Sequence, residues 1–213
     1  MSIKDRIKNI DNSEYWGISN LHVHSNFSDG EDDFINLIES AKKMGLKNFA
    51  ISDHNTVEGY LTYNTTEYDF LIPAVEFDVV EDFILVHILG YGVEPNNEDL
   101  QALCAKDKNS ANHVIPRLLS ARNAKKTIEA IHKAGGIAVL AHPCCMWAIN
   151  LEHFVKKLVS LGLDGIEVYY PYRKLRGIIK FHNENVIEKL ANKYNLIKTG
   201  GTDCHTRLEE DII

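Results

Sequence analysis

Apolar and polar residues alternate along the chain with two periods, and this pattern predicts strands that are followed by helices. Residues 20–24 alternate with a period of two, which is typical of a strand. Apolar residues then recur at helical spacing over residues 34–44. Two apolar runs, 70–80 and 83–89, are joined only by Glu81-Asp82, and so short a polar join predicts a hairpin.

The second half of the chain repeats the order of helix and strand. Helices are predicted at 125–134, 151–159 and 179–194, and strands at 137–141, 165–170 and 197–202. This alternation is typical of a mainly parallel α/β sheet or barrel. Without a linker or repeat, residues 1–213 are expected to form a single domain. An eight-fold barrel typically needs about 250 residues, so a smaller or distorted barrel fits better.

Composition excludes several classes of protein. With 45% hydrophobic and 25% charged residues, the 213-residue chain resembles an ordinary globular protein. Its net charge of -7 argues against a stable nucleic-acid complex, because such binding rests on neutralising phosphates. No apolar run approaches the ~18 residues of a membrane span. The four cysteines form no CxxC pair or disulfide framework, so we expect a reduced, cytoplasmic protein.

Candidate chemistry lies where the predicted strands end. Histidines number ten, about double the usual frequency of roughly 2%. The side chains at or just after strand ends are His22, His24, Asp29, Asp53, His54, His142, Asp203 and His205, and the two middle strands themselves carry Glu76 and His87. Residues two apart on a strand point to one face, so pairs such as His22 and His24 can aim at one centre. Imidazoles with carboxylates suit zinc, manganese or iron, and this convergence favours a metal site over unrelated polar residues at loop starts.

The same residues lie in motifs that resemble those of the PHP (polymerase and histidinol phosphatase) superfamily. The motifs are His22-x-His24-x4-Asp29-Gly30, Ser52-Asp53-His54, Glu76, His87-x2-Gly90-Tyr91, Gly135-Gly136-x4-Ala141-His142-Pro143 and Gly201-Thr202-Asp203-x-His205. They extend from about residue 20 to 205. Together with the segment 164–169, they are most similar to the TrpH/YciV-like branch. The resemblance implies a distorted seven-stranded (β/α)7 barrel and a metal-dependent phosphoesterase acting on nucleotides or short oligonucleotides.

The resemblance also implies a ligand set for two or three divalent ions (Mn, Zn or Fe). One ion would be held by His22, His24, Glu76 and Asp203, a second by Asp29, His54 and His205, and a third by Glu76, His87 and His142. Asp53 is expected to support catalysis indirectly, by orienting an imidazole or by bonding the backbone. Arg173 is the candidate cation for the substrate phosphate, and the alternative is an exposed surface arginine. Cys144 and Cys145 follow a ligand motif, and both a structural role and contact with the metals stay open.

The implied reaction is hydrolysis of a phosphate ester by a hydroxide that bridges two ions. The expected partner is a small phosphorylated substrate such as a nucleotide, an oligonucleotide end or a metabolite. One alternative is a histidinol, sugar or phosphotyrosine phosphatase of the same superfamily. Others are a metal-dependent amidohydrolase, which also begins with His-x-His, and a PHP module that binds metal without catalysis. All nine candidate ligand positions are filled, which argues against a decayed module.

Overall fold

The computed structural model describes residues 2–107, 111, 122–146, 148–171 and 184–208. The strands in these ranges are β1 (Ser19–Asn20), β2 (Asn48–Phe49), β3 (Ala74–Glu81), β4 (Ile84–Tyr91), β5 (Ile137–Leu140), β6 (Gly165–Tyr169) and β7 (Ile197–Gly200). The helices are α1 (Ile3–Lys8), α2 (Phe34–Lys43), α3 (Glu58–Thr62), α4 (Glu98–Gln101), α5 (Ala124–Lys133), α6 (Leu151–Ser160) and α7 (Glu184–Tyr194). Short 3-10 turns occur at Asn12–Trp16 and Pro143–Cys145. No helix within the described ranges combines the length and the apolar character needed to cross a membrane.

Five of these strands form a mixed sheet in the order β3-β4-β5-β6-β7. Strands β5, β6 and β7 are parallel to one another, whereas β4 runs antiparallel to both β3 and β5. The sheet is therefore mixed, and β4 is the antiparallel strand that the predicted hairpin requires. The reason is the two-residue connection from β3, which is too short for a parallel crossover.

The predicted hairpin is confirmed, and its turn has a defined geometry. Asp82 and Phe83 both adopt a left-handed backbone, with φ of 50° and 62°. Positive φ at both central residues is the type I′ turn, whose twist matches that of the flanking strands. Eight residue pairs follow in register, from Glu81 opposite Ile84 to Ala74 opposite Tyr91. The hairpin is thus the longest regular pairing in the described part of the chain.

Strands β1 and β2 form a separate parallel pair whose continuations touch both edges of the five-stranded sheet. After β2, His54 makes a single parallel bridge to Glu76. After β1, Val23 bridges Cys204 beyond the end of β7. These contacts are isolated bridges and not ladders, so the closed (β/α)7 barrel implied by the resemblance is not confirmed. Regular pairing of β7 ends before Asp203, a candidate site residue. There the backbone leaves the extended conformation and adopts a left-handed one, with φ of 53°.

The alternation of side chains along β3 separates the packed core from the site. Val75, Phe77 and Val79 are buried in the apolar cluster that also contains residues of α2, α5 and α6. Glu76 and Asp78 point to the opposite face, where they are also buried. One strand therefore stabilises the fold through one face and supplies acidic groups through the other.

Candidate metal centre

Glu76 lies at the centre of the predicted site residues and is completely buried. Five imidazole nitrogens surround its two carboxylate oxygens. Its Oε2 atom lies 3.3 Å from His22 Nε2, His24 Nε2 and His54 Nδ1, and its Oε1 atom lies 3.0 Å from His87 Nδ1 and 3.1 Å from His142 Nε2. Because the two oxygens face different sets of imidazoles, this side chain can contribute to more than one ion.

The structure brings together the residues expected to hold the first ion. His22, His24, Glu76 and Asp203 offer ligand atoms that all lie within 4.8 Å of one another. Asp203 Oδ1 is 3.3 Å from His22 Nε2 and 3.0 Å from His24 Nε2. Tyr170 donates a hydrogen bond of 2.7 Å to Asp203 Oδ2, so one oxygen is oriented by the protein and the other faces the imidazoles.

The second and third predicted sets also converge. Asp29 Oδ1 lies 3.3 Å from His205 Nε2, and Asp29 Oδ2 lies 3.7 Å from His54 Nε2, with His24 in the same group. The third set, Glu76, His87 and His142, likewise lies within 4.8 Å. All nine residues predicted as ligands therefore belong to overlapping groups with the spacing that a metal ion requires.

Buried atoms without hydrogen-bond partners support a cation at the first group. His22 Nε2, His24 Nε2 and Glu76 Oε2 are inaccessible to solvent and have no hydrogen-bond partner among the described residues. Leaving such a group unsatisfied typically costs about 1–3 kcal/mol. These three atoms lie together, so one divalent cation among them would satisfy all three. Imidazole and carboxylate donors suit zinc, manganese and iron, and the residues present therefore fit the implied ions.

Two candidate ligands have an unusual backbone conformation. His142, which follows β5, has φ of 25° and ψ of 58°, and Asp203, which follows β7, has φ of 53°. Left-handed φ values are uncommon outside glycine and cluster at functional sites. At both positions the chain leaves regular strand geometry at the residue that contributes to the cluster.

The charges of the cluster shift the ionisation of its members. Burial opposes ionisation of Glu76, but the surrounding imidazoles, His22 foremost, hold its pKa well below the ordinary value. Burial also works against a charged His24, yet Asp203 and Glu76 raise its pKa to about 9. In His87 the effect of burial is again outweighed, and Glu76 and Asp78 raise its pKa to about 10. A bound cation would compete with protons for the imidazole nitrogens of His24 and His87.

Two buried carboxylates contact candidate histidine ligands at the ring nitrogens that do not face Glu76. Sequence reasoning did not single out either carboxylate. Glu167 Oε1 lies 3.0 Å from His22 Nδ1, while Glu167 Oε2 accepts a hydrogen bond of 2.8 Å from the backbone N–H of His142. Asp78 Oδ1 lies 3.1 Å from His87 Nε2. Asp78 could have been found, because it lies two residues after Glu76 and so shares its strand face. It also forms a further group of potential ligands with His54 and His87.

The remaining predicted residues have other positions. Asp53 accepts hydrogen bonds of 2.7 Å from Ser25 N–H and Ser28 Oγ through Oδ1, and one of 2.6 Å from Ser25 Oγ through Oδ2. These contacts favour bonding the backbone over orienting an imidazole, and they hold the loop that carries Asp29. Arg173 lies outside the described residues. Among the described residues, the groups of potential ligands contain neither Cys144 nor Cys145.

The fold and the cluster define a class: an α/β protein with several acidic and histidine ligand groups at the ends of its strands. The PHP domain family model matches residues 20–195. The chain belongs to the PHP domain family, and the predicted family is confirmed. The branch within that family stays a prediction.

Several known proteins are similar to this chain. The phosphoribosyl 1,2-cyclic phosphate 1,2-diphosphodiesterase of Eggerthella lenta is 26% identical over an alignment of 255 positions that includes gaps and covers 88% of this chain and 94% of the relative. A Bifidobacterium adolescentis structure named as a metal-dependent phosphoesterase has a TM-score of 0.69 at 19% identity, covering 87% of each chain. A Chromobacterium violaceum amidohydrolase with bound sulfate has a TM-score of 0.74 at 18% identity, covering 92% of this chain and 90% of that one. At such identities, the structural likenesses establish the fold and not the activity.

Proposed function

We propose that this protein is a metal-dependent phosphoesterase that hydrolyses a small phosphate ester with two or three divalent ions (Mn, Zn or Fe). The observation that carries the proposal is the position of Glu76, whose two oxygens face five imidazole nitrogens in two sets. Such a carboxylate can join neighbouring ions. The nine candidate ligands include three carboxylates, Glu76, Asp29 and Asp203. With the adjacent Asp78 and Glu167 the carboxylates number five, so a centre occupied by three divalent ions, with six positive charges, would attract an anionic phosphate.

Some side chains of the centre would hold the ions, and others orient the side chains that do so. Divalent ions, when bound, polarise phosphoryl oxygens and lower the pKa of coordinated water. Among the candidate ligands, His54 is favoured in its neutral form, because burial lowers its pKa well below the ordinary value although Glu76 opposes this. A neutral imidazole is the form that binds metals. Asp53 fixes the loop of Asp29, and Tyr170 orients Asp203.

The substrate is expected to be a phosphodiester. The Eggerthella lenta relative acts, by its name, on a cyclic phosphodiester, and the similarity extends over most of both chains. A nucleotide, an oligonucleotide end or a phosphorylated metabolite belongs to this class only where its phosphate joins two ester oxygens, as in a cyclic phosphate. The phosphomonoesterase alternatives, with histidinol phosphate, sugar phosphates or phosphotyrosine as substrates, need the same ions and differ in the organic group.

Phosphate-ester hydrolysis by metal-stripped protein, with and without added Mn²⁺ or Zn²⁺, tests the proposal. The substrates should include a ribose cyclic phosphate, a bis-aryl phosphate, an aryl phosphate, a 3′,5′-bisphosphonucleotide, histidinol phosphate, phosphotyrosine and a 5′-phosphorylated oligonucleotide. We expect turnover only with metal, and faster for diesters. Absence of turnover on all of them, with ions bound, would contradict the phosphoesterase and favour a binding module.

Two substitutions connect the activity to the cluster. His54→Gln and Asp203→Asn should each reduce kcat at least about 100-fold, because each removes a ligand from a different group while the protein stays folded. His153→Gln is the matched control, since His153 is exposed on α6 away from the ligand groups. Circular dichroism checks the fold of each variant. Unchanged turnover in both ligand variants would show that the cluster is not the active site.

A further inference from the structure

Asp78 and His87 form a cross-strand pair beside Glu76. Asp78 lies opposite His87 in the register of β3 and β4, and it shares a strand face with Glu76, two residues before it. The imidazole of His87 spans the space between the two carboxylates. Its Nδ1 atom lies 3.0 Å from Glu76 Oε1, and its Nε2 atom lies 3.1 Å from Asp78 Oδ1. The two ring nitrogens of one candidate ligand therefore face two different carboxylates.

The two nitrogens of His87 cannot have the same role when the ring is neutral. A neutral imidazole carries its proton on one nitrogen and offers the lone pair of the other to a metal. Nδ1 is the nitrogen on the side of the third ligand group, because Glu76 Oε1 also lies 3.1 Å from His142 Nε2. Nε2 is then the nitrogen that keeps the proton and donates it to Asp78 Oδ1. A carboxylate behind a histidine orients the ring toward an ion in this way.

Asp78 is itself held by Asn55 in a two-way contact. Asn55 Nδ2 donates a hydrogen bond to Asp78 Oδ2, and Asn55 Oδ1 accepts one of 3.0 Å from the backbone N–H of Asp78. Both residues are buried. The amide contacts one carboxylate oxygen, and the other oxygen, Oδ1, faces His87.

The backbone of Asn55 is anchored on both sides. Asn55 directly follows the candidate ligand His54 and has a left-handed conformation, with φ of 58°, which asparagine and aspartate adopt more readily than most residues. Its N–H donates to the carbonyl of Glu76 at 2.8 Å, and its carbonyl accepts from the N–H of Ala105 at 2.7 Å. The amide therefore connects the segment after β2, which carries a ligand of the second group, to Asp78.

A carboxylate suits position 78 because of the imidazole in front of it. Burying a carboxylate is costly unless its charge is compensated, and Asn55 is neutral. An imidazole that binds a divalent ion through its other nitrogen carries positive charge, and hydrogen bonds between charged groups are shorter and stronger than neutral ones. The charge of Asp78 is thus most favourable when His87 holds an ion.

We infer that Asp78 and Asn55 are positioning residues for the third ion: they fix the ring of His87 so that Nδ1 binds the ion and Nε2–H donates to Asp78. This inference rests on the proposed function, because it takes the third ligand group to hold an ion. The alternative is that Asp78 binds an ion directly, since it also forms a group of potential ligands with His54 and His87.

The first test is the protonation of the His87 ring in the wild-type protein loaded with Zn²⁺. Long-range ¹H–¹⁵N NMR correlations distinguish a ring nitrogen that binds metal from one that carries a proton, and His87→Gln assigns the signals. We expect metal at Nδ1 and a proton at Nε2. Metal at Nε2 would overturn the inference, because the carboxylate of Asp78 would then face the ion and act as a ligand.

An exchange of the two residues tests the hydrogen bonds. In Asp78→Asn the new NH₂ group faces either the Nε2–H of His87 or the NH₂ group of Asn55, so one contact joins two donors. We expect the affinity for the third ion to fall about 10- to 100-fold, as is typical for the loss of such a partner. The double variant Asn55→Asp with Asp78→Asn reverses the contact between the two side chains and restores an acceptor for His87. Its affinity should return to within about threefold of the wild type.

Mn²⁺ titration of metal-stripped protein, followed by the electron paramagnetic resonance signal of free Mn²⁺, measures these affinities. His142→Gln identifies the step that belongs to the third ion, because among the described residues His142 occurs only in that group. Asp99→Asn is the matched control, since Asp99 is exposed on α4 and bonds Lys133 outside the ligand groups. Circular dichroism checks the fold of each variant.

Three results would overturn the positioning role. They are an unchanged third-ion affinity in Asp78→Asn, a folded double variant that binds this ion as weakly as Asp78→Asn, and a wild type without any binding step that His142→Gln removes. None of these measurements uses turnover, and the NMR experiment needs no variant of Asp78. The positioning role and the phosphoesterase activity therefore fail separately.

Discussion

Glu167 is the residue whose two oxygens join two of the ligand groups. One oxygen faces His22 Nδ1 of the first group, and the other accepts the backbone N–H of His142 in the third. The contact with Nδ1 leaves Nε2 of His22 directed at Glu76 and Asp203. The contact with the N–H holds His142 in its left-handed conformation. Carboxylates that support metal-binding histidines in this way typically contribute 10- to 100-fold in metal affinity.

Glu167→Gln should weaken metal binding about 10- to 100-fold, with little change in fold. A glutamine amide can accept one of these hydrogen bonds, but its NH₂ group then faces the second donor. The measurement is Co²⁺ titration followed by the visible absorption of the bound ion, together with the number of ions retained after dialysis. Asp164→Asn is the control, because Asp164 precedes the same strand and bonds Lys4 and His132 away from the cluster. Equal affinities in Glu167→Gln and the wild type would contradict the positioning role.

The nine candidate ligands were predicted from motifs that resemble those of the PHP superfamily, because residue types and spacing alone do not separate ligands from their neighbours. The supporting side chains were harder to predict. Glu167 and His22 are 145 positions apart in the sequence, and only the folded structure brings their side chains within 3.0 Å of each other. The role of Asp53 was open for the same reason: its partners, Ser25 and Ser28, are defined by how the loop folds back.

At the scale of elements, Asp164 connects the start of β6 to three neighbours. It lies 2.8 Å from Lys4 Nζ of α1 and 2.7 Å from His132 Nε2 of α5, and it accepts a 3.0 Å hydrogen bond from Ala138 N–H of β5. Burial alone would raise the pKa of Asp164, but the hydrogen bond from Lys4 and the other contacts lower it below its ordinary value.

Asp164→Asn should lower the free energy of unfolding by about 1–3 kcal/mol at pH 7, because hydrogen bonds to a charged group are lost. The folded carboxyl has the lower pKa, so the unfolded chain binds its proton first as the pH falls. The stabilisation is therefore complete above the unfolded pKa of about 3.9 and is lost as the pH falls through the folded value. Urea unfolding at pH 7 and pH 3 measures this. A difference between the proteins that does not shrink at pH 3 would contradict the assignment.

The pairing of elements was only partly predictable from the sequence. The join at Glu81 and Asp82 specified the β3–β4 hairpin, because a two-residue turn is a local feature. The antiparallel pairing of β4 with β5 joins residues about 50 positions apart, with no local signal, as for Ile88 opposite Leu140. The first strand was predicted over residues 20–24, whereas only Ser19–Asn20 of β1 pair regularly. The residues that follow β1 and β2 include candidate ligands and make only isolated bridges to the sheet.

At the scale of the whole molecule, the candidate centre joins segments that the sheet pairing leaves separate. Its ligands come from the continuations of β1 and β2, from β3 and β4, and from the residues after β5 and β7. The closed barrel implied by the resemblance is not confirmed, because the continuations of β1 and β2 contact the five-stranded sheet only through single bridges such as that between Val23 and Cys204. Ions bound by these segments would connect them where hydrogen-bonded ladders do not.

Metal binding should therefore raise the stability of the entire domain. A ligand that binds only the folded state at about 100 times its Kd stabilises it by ~2.7 kcal/mol. For a chain of this size, each kcal/mol shifts Tm by about 2–4 °C, so the expected rise over metal-stripped protein is about 5–10 °C. Scanning calorimetry of stripped protein with added Mn²⁺ or Zn²⁺ measures it. Asp203→Asn should show a smaller rise because the first group loses a charged ligand, whereas His153→Gln should match the wild type. An unchanged Tm, with ions shown to be bound, would mean that the unfolded chain binds the ions as tightly as the folded one, and would contradict a metal centre that the fold assembles.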